Sequence, residues 1–214
     1  MRTPGVRRQQ SHLTAVGLTR TGVAIMKMLS RRAFSGLAAG SSALVAAAGG
    51  GWPVRSAFAA SPGLRDYGKA PEFAGIDKWL NSEPLTLKGL AGQVVLVDFW
   101  TYSCINCIRT LPHVVRWYET YKDRGFVVVG VHSPEFAYEK LTRNVEDAIR
   151  RFNIRYPVAQ DNAFATWKAY DNQYWPAFYL VDSKGQVMRQ HFGEGEYAEM
   201  EAAIQVLLAR KSAG

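Results

Sequence analysis

The feature that most constrains this chain is the run Val94-Val95-Leu96-Val97-Asp98-Phe99-Trp100, followed closely by Cys104-Ile105-Asn106-Cys107. The run is apolar except for Asp98 and rich in valine, the pattern of a strand covered on both faces. After the cysteines, Leu111, Val114, Val115, Trp117 and Tyr118 repeat at helical spacing. That pattern ends at Asp123-Arg124-Gly125, where glycine suits a helix C-terminus. The only two cysteines of the chain are therefore expected where a buried strand turns into a helix. Unpaired backbone N–H groups and the positive end of the helix dipole stabilise a thiolate there, on Cys104. Such a thiolate attacks a disulfide, and Cys107, one turn on, resolves the mixed disulfide.

The remaining pattern surrounds this unit with a layered α/β domain. Residues 76–87 alternate weakly about Asn81-Ser82-Glu83-Pro84, suggesting a short N-terminal β-hairpin. A second buried strand is expected at 126–131, a helix at 144–152, a short strand at 156–158 and a helix at 163–170. Two further strands, 177–181 and 186–192, flank the hairpin turn Asp182-Ser183-Lys184-Gly185. An amphipathic helix over 196–209 follows. The order β-β-α-β-α-β-α-β-β-α implies a three-layer α/β sandwich with a central mixed sheet, parallel strands first and an antiparallel hairpin last. This is the architecture of a thioredoxin fold.

Charge is unevenly placed. The chain holds 26 Lys and Arg against 18 Asp and Glu, but residues 1–59 contain eight of the basic side chains and no acidic one. The remainder is formally neutral, which removes the argument for nucleic-acid binding by the folded domain. Ser30-Arg31-Arg32-Ala33-Phe34 sets an Arg pair before an Ala/Gly-rich apolar stretch, and Ala57-Phe58-Ala59 offers a cleavage site. Residues 1–59 thus read as a twin-arginine (Tat) signal, and the protein as periplasmic or otherwise extracytoplasmic. Met26 and Met28 are more typical signal starts, so 1–25 read as a product of start-codon choice. No stable membrane anchor is expected, because Ala, Gly and Ser partition poorly into hydrocarbon. Residues 60–72 read as a linker and 73–212 as the domain.

The cysteine pair has other readings. A zinc site needs three or four ligands; His113 and His132 are the available recruits, and neither metal nor cofactor is expected. A structural disulfide over so short a loop adds little stability. Asp98, six residues before Cys104, is expected to be a buried carboxyl of raised pKa that exchanges a proton with Cys107. Trp175-Pro176, just before the penultimate strand, is expected to be cis and to lay the Pro176 backbone beside the pair, where a substrate docks as an added strand. Trp100, Tyr102 and Trp175 are candidates for an apolar substrate groove, and Pro112 is expected to kink the first helix.

The segment Val97-Asp98-Phe99-Trp100, Cys104-x-x-Cys107 and Pro112 resembles the thioredoxin active-site region. Val131-His132-Ser133-Pro134-Glu135-Phe136, Tyr174-Trp175-Pro176-Ala177 and Phe192-Gly193-Glu194-Gly195 extend the likeness. Together they resemble the periplasmic thioredoxin-like domain of the DipZ group within the TlpA-like family, over about residues 75–209. The resemblance implies Cys104 as nucleophile, Cys107 as resolving cysteine, Pro176 as the cis proline, and the extra strand and helix that TlpA-like proteins share with peroxiredoxins. DipZ proteins join this domain to a membrane electron-transfer domain that this sequence does not carry, so a separate membrane donor is expected. Ser103 stands where thioredoxin has Trp.

The resulting expectation is an exported thiol–disulfide oxidoreductase, acting as a reductant of disulfides in exported proteins. The alternative is a peroxiredoxin-like thiol peroxidase using Cys104, since Thr101-x-x-Cys104 matches part of that family's motif; Val97, where that family has Pro, speaks against it. A third reading is an adaptor whose surface docks a partner without redox chemistry.

Overall fold

The computed structural model describes residues 63–212; the expected signal over 1–59 and the start of the expected linker lie outside them. Six strands form one sheet: β1 (Lys78–Leu80), β2 (Val94–Trp100), β3 (Phe126–His132), β4 (Val158–Gln160), β5 (Ala177–Val181) and β6 (Val187–Phe192). Four helices connect and cover them: α1 (Ile105–Tyr121), α2 (Thr142–Arg151), α3 (Ala165–Ala169) and α4 (Tyr197–Ser212). The strand order is β1-β4-β3-β2-β5-β6. The β2, β3 and β4 strands run parallel, whereas β1, β5 and β6 pair antiparallel.

The period of two along β2 explains the layers. Val94, Leu96 and Trp100 face one core with Leu111, Val114 and Trp117 of α1, Val145 and Ile149 of α2, and Met200 and Ile204 of α4. Val95, Val97 and Phe99 face the other, with Val129, Tyr179, Tyr170 and Leu90. Every residue of β2 is buried. The first helix ends as its sequence demands: a 3-10 turn over Lys122–Arg124 leads into Gly125, whose φ of 82° is left-handed backbone that favours glycine.

The expected N-terminal hairpin does not form. Its first half is β1, but β1 pairs with β4 (Trp79 opposite Ala159) rather than with residues 85–87. Asn81 explains the difference: its amide donates to Ile154 O at 3.1 Å and Tyr156 O at 3.0 Å, tying the turn to the β4 side. The chain beyond is then claimed by Glu72, whose carboxylate accepts from the backbone N–H groups of Leu87 and Lys88 at 2.7 and 2.9 Å. Within the stretch read as a linker, residues 65–70 run beside β6. Arg65 and Tyr67 donate to Met188 O and Val187 O, and Ala70 donates to Gly185 O.

A dithiol at the junction of strand and helix

Trp100 ends β2, and the turn of residues 101–104 delivers Cys104 as the N-cap of α1. Cys104 has extended backbone (φ −68°, ψ 115°), and its Sγ accepts from the Cys107 N–H at 3.4 Å. The first turn of α1 holds no acidic side chain, so the thiolate is the anion at the positive end of the helix. Both cysteines are free thiols; Cys104 is partly exposed and Cys107 fully buried. A hydrogen bond from the Cys107 thiol lowers the Cys104 pKa to about 6, aided by the N–H groups of Cys107 and Asn106 and opposed by burial and the Glu135 charge. Burial, the hydrogen bond to Cys104 and nearby negative charge push the Cys107 thiol far above the ordinary range. The pair is therefore polarised into an exposed nucleophile and a protonated, sheltered partner.

Asp98 lies on the same face of β2 as Leu96 and Trp100, beneath α1. It is fully buried, neither carboxyl oxygen has a hydrogen-bond partner among the described residues, and burial raises its pKa to about 8. Pro112 lies within α1, where its ring removes the donor that would reach Ile108 O.

The Trp175–Pro176 peptide is cis. Ala177 pairs with Phe99, which brings the residues before it alongside the end of β2. The Pro176 backbone is not the free docking edge, however. Proline has no N–H, and its carbonyl already accepts from Gly193 N at 2.8 Å. Trp175 forms no backbone hydrogen bond among the described residues, so its N–H and C=O are the groups available to an added strand. Its indole is anchored: Nε1 donates to Ser133 O at 3.1 Å, and the ring packs 4.2 Å from that of Trp167.

The other two groove candidates divide. Trp100 has no exposed surface and lines no groove. As the last inward-facing residue of β2 it packs over Gly130 and edge-on to His132, their ring centroids 5.2 Å apart. Tyr102 is partly exposed; it stacks on His132 at 5.6 Å and donates to Tyr138 O at 3.1 Å. The apolar surface beside Ser103 and Cys104 comes instead from Ile105, Phe136 and Tyr138, each about half exposed. Phe136 and Tyr138 stack at 5.5 Å, and the Tyr138 hydroxyl donates to Ser103 Oγ at 3.3 Å. Phe136 closes the motif of residues 131–136 but follows no helical or strand period, and Tyr138 lies in the 3-10 turn Ala137–Lys140.

Of the histidines weighed as ligands, His113 stacks on Tyr197 at 3.7 Å. His132 is buried, which lowers its pKa to about 4, and its Nε2 lies 3.3 Å from Thr101 Oγ1. Thr101 is itself fully buried. Sequence reasoning also missed Glu139, a buried carboxylate that accepts from Ser103. Its one local signal is its spacing from Phe136, and phenylalanine is not a residue that announces a helix cap.

A reduced Cys-x-x-Cys pair at a strand–helix junction, beside a cis proline on a six-stranded α/β sheet, defines a member of the thioredoxin superfamily. Within it, this chain belongs to the AhpC/TSA family, whose model matches residues 68–190. The Protein DipZ of Mycobacterium tuberculosis is 51% identical over 148 residues, which cover 68% of this chain and 21% of DipZ. The chain thus spans about a fifth of that relative's length. The thiol-disulfide oxidoreductase YkuV of Bacillus subtilis is 28% identical over 65% of this chain and 93% of its own. Among solved structures, a putative thiol:disulfide interchange protein DsbE from Chlorobium tepidum superposes with a TM-score of 0.59 at 28% identity, covering 68% of this chain and 99% of that one.

Proposed function

We propose that this chain is an extracytoplasmic thiol–disulfide oxidoreductase that reduces disulfides in exported proteins. The observation that carries the reading is the asymmetry of the dithiol: Cys104 has a pKa near 6 and solvent access, while Cys107 is buried and protonated. YkuV, matched over nearly its whole length, supports it by the activity in its name. The Arg pair and small-residue cleavage pattern of 1–59 support export.

In this mechanism the Cys104 thiolate attacks one sulfur of a target disulfide lying against the Trp175 backbone. The target S–S bond breaks, a mixed disulfide forms, and the displaced target sulfur leaves as a thiolate that takes a proton. Asp98, protonated at rest, first gives its proton to solvent; the resulting carboxylate takes the Cys107 proton as Cys107 attacks Cys104 Sγ. The Cys104–Cys107 disulfide forms and the second target sulfur departs. The target has gained two electrons and the domain has lost two, which a separate membrane electron donor restores. The second thiol one turn from Cys104, and Val97 where the peroxiredoxin motif has Pro, favour this exchange over a thiol peroxidase.

The test is a trap. Cys107→Ser removes the resolving thiol, so reduced variant protein mixed with a disulfide-bearing substrate protein should accumulate a reducible covalent adduct on Cys104. Wild type should show almost none. Absence of the adduct in a folded variant with a reactive Cys104 would remove the oxidoreductase reading.

A further inference from the structure

We propose that Glu139 is a positioning residue for the nucleophile: its carboxylate locks Ser103, and with it the turn entering Cys104, to the loop of residues 133–140. The inference deepens the oxidoreductase reading and rests on it.

The geometry divides between the two oxygens of Glu139, which is fully buried. Oε2 accepts from the N–H groups of Glu135 at 2.6 Å and Phe136 at 2.9 Å, closing the short 3-10 turn Ala137–Lys140 on itself. That half is local capping. Oε1 does something capping does not require. It reaches the segment before α1, accepting from Ser103 Oγ at 2.5 Å and Ser103 N–H at 3.3 Å. Tyr138 OH donates to Ser103 Oγ at 3.3 Å, and Tyr102 OH donates to Tyr138 O at 3.1 Å, so the loop and the turn are laced at several points.

A buried carboxylate is costly unless its lone pairs are filled. Burial pushes the Glu139 pKa up, but hydrogen bonds from Ser103, Thr101, Phe136 and Glu135 outweigh it and hold it below the ordinary value. The group is therefore an anchored anion at neutral pH. The titratable groups facing it are His132, held neutral by burial, and Tyr102; those facing Cys104 are Cys107 and Glu135. The Cys104 thiolate depends on the N–H groups of Asn106 and Cys107 being aimed at Sγ. That aim is fixed by where the chain enters the helix, one residue after Ser103. Thioredoxin's Trp at this position is replaced here by a side chain small enough to dock on Glu139.

Two variants of the reduced full chain test the proposal: Glu139→Gln, which keeps the shape but turns an NH2 toward donors, and Ser103→Ala, on an exposed residue. The first readout is the pH midpoint of Cys104 alkylation by iodoacetamide; the second is the rate of attack on a small aromatic disulfide at pH 7. Glu139→Gln should raise the midpoint by about half a unit or more and slow the attack by about tenfold, as expected for losing a hydrogen bond to a charged group. Ser103→Ala should shift both in the same direction by less, and the double variant should be no worse than Glu139→Gln alone. An unchanged midpoint and rate in folded Ser103→Ala, or full additivity in the double variant, would overturn the proposal. Ser103→Ala decides the matter even if Glu139→Gln does not fold. Failure of the oxidoreductase reading looks different: a wild type with a low midpoint that reduces no protein disulfide.

Discussion

Asp98 of β2 and Cys107 in the first turn of α1 are both fully buried, and both are held protonated at neutral pH. For Cys107 burial is the largest cause, then the hydrogen bond to Cys104, with the Asp98 charge adding to it. Neither can lose its proton easily while the other is charged, so the two titrate as a coupled pair. The Cys104 hydrogen bond and charge also hold Cys107 protonated, and in the proposed mechanism both are lost once Cys104 enters a mixed disulfide.

This coupling has a cost in stability with a defined pH window. The Asp98 pKa is about 8 in the folded chain against an ordinary 3.8. The unfolded chain therefore ionises first, and native stability falls as pH rises from about 4 to about 8, with no further loss from this group above that. Asp98→Asn removes the effect. Measured by urea unfolding at a series of pH values, the variant should gain on wild type across that window, by up to about 6 kcal/mol at its upper end. A difference independent of pH would mean that Asp98 is not the buried neutral acid described. The same variant should slow the second, resolving step of exchange and spare the first.

Cys104 gives the opposite pH signature. With its pKa lowered to about 6 by the Cys107 hydrogen bond and helix N–H groups, its alkylation rate should rise through pH 6 and level off by about pH 7. Cys107, buried and raised, should resist alkylation in the folded chain over that range. A midpoint near the ordinary thiol value would show that the helix N-terminus does not stabilise the thiolate.

The packing under the site is tight at one glycine. A Cβ on Gly130 would lie 3.0 Å from both Trp100 Nε1 and a ring carbon of Tyr156. Gly130 pairs with Asp98 across β2 and β3, so displaced aromatics would press on the buried acid. Gly130→Ala is expected to destabilise the fold by about 1–3 kcal/mol, the usual cost of overpacking a dense core, as read by chemical denaturation.

Phe136 offers a separate handle on substrate binding, because its ring is half exposed and it engages Glu139 through its backbone N–H and C=O. Phe136→Ala should raise the KM for a protein disulfide by about tenfold, in line with losing one exposed aromatic anchor. Its rate on a small disulfide should stay unchanged. Equal losses on both substrates would place the ring in support of the turn and not in docking.

How much of this was legible beforehand follows from the range of the interactions. The β2 strand, the α1 helix and its glycine stop were readable because each depends on neighbours within a few residues: a covered-strand run, a helical period, a left-handed position. The hairpin over 76–87 was misread because Asn81 and Glu72 take its backbone toward partners distant in sequence. Trp100 looked like a groove residue by proximity to Cys104, but the parity of β2 turns it inward. Glu139 was invisible for the strongest reason: Ser103 and Glu139 are brought together only by the parallel pairing of β2 with β3, which places His132 opposite Trp100.

Whether the Cys104–Cys107 pair acts as a reductant is decided by its reduction potential, found by equilibration against redox buffers. The expected value lies near or below roughly −220 mV, in the thioredoxin and glutaredoxin range. A value near roughly −120 mV, that of a strong disulfide donor, would contradict it and make the protein an oxidant of its targets.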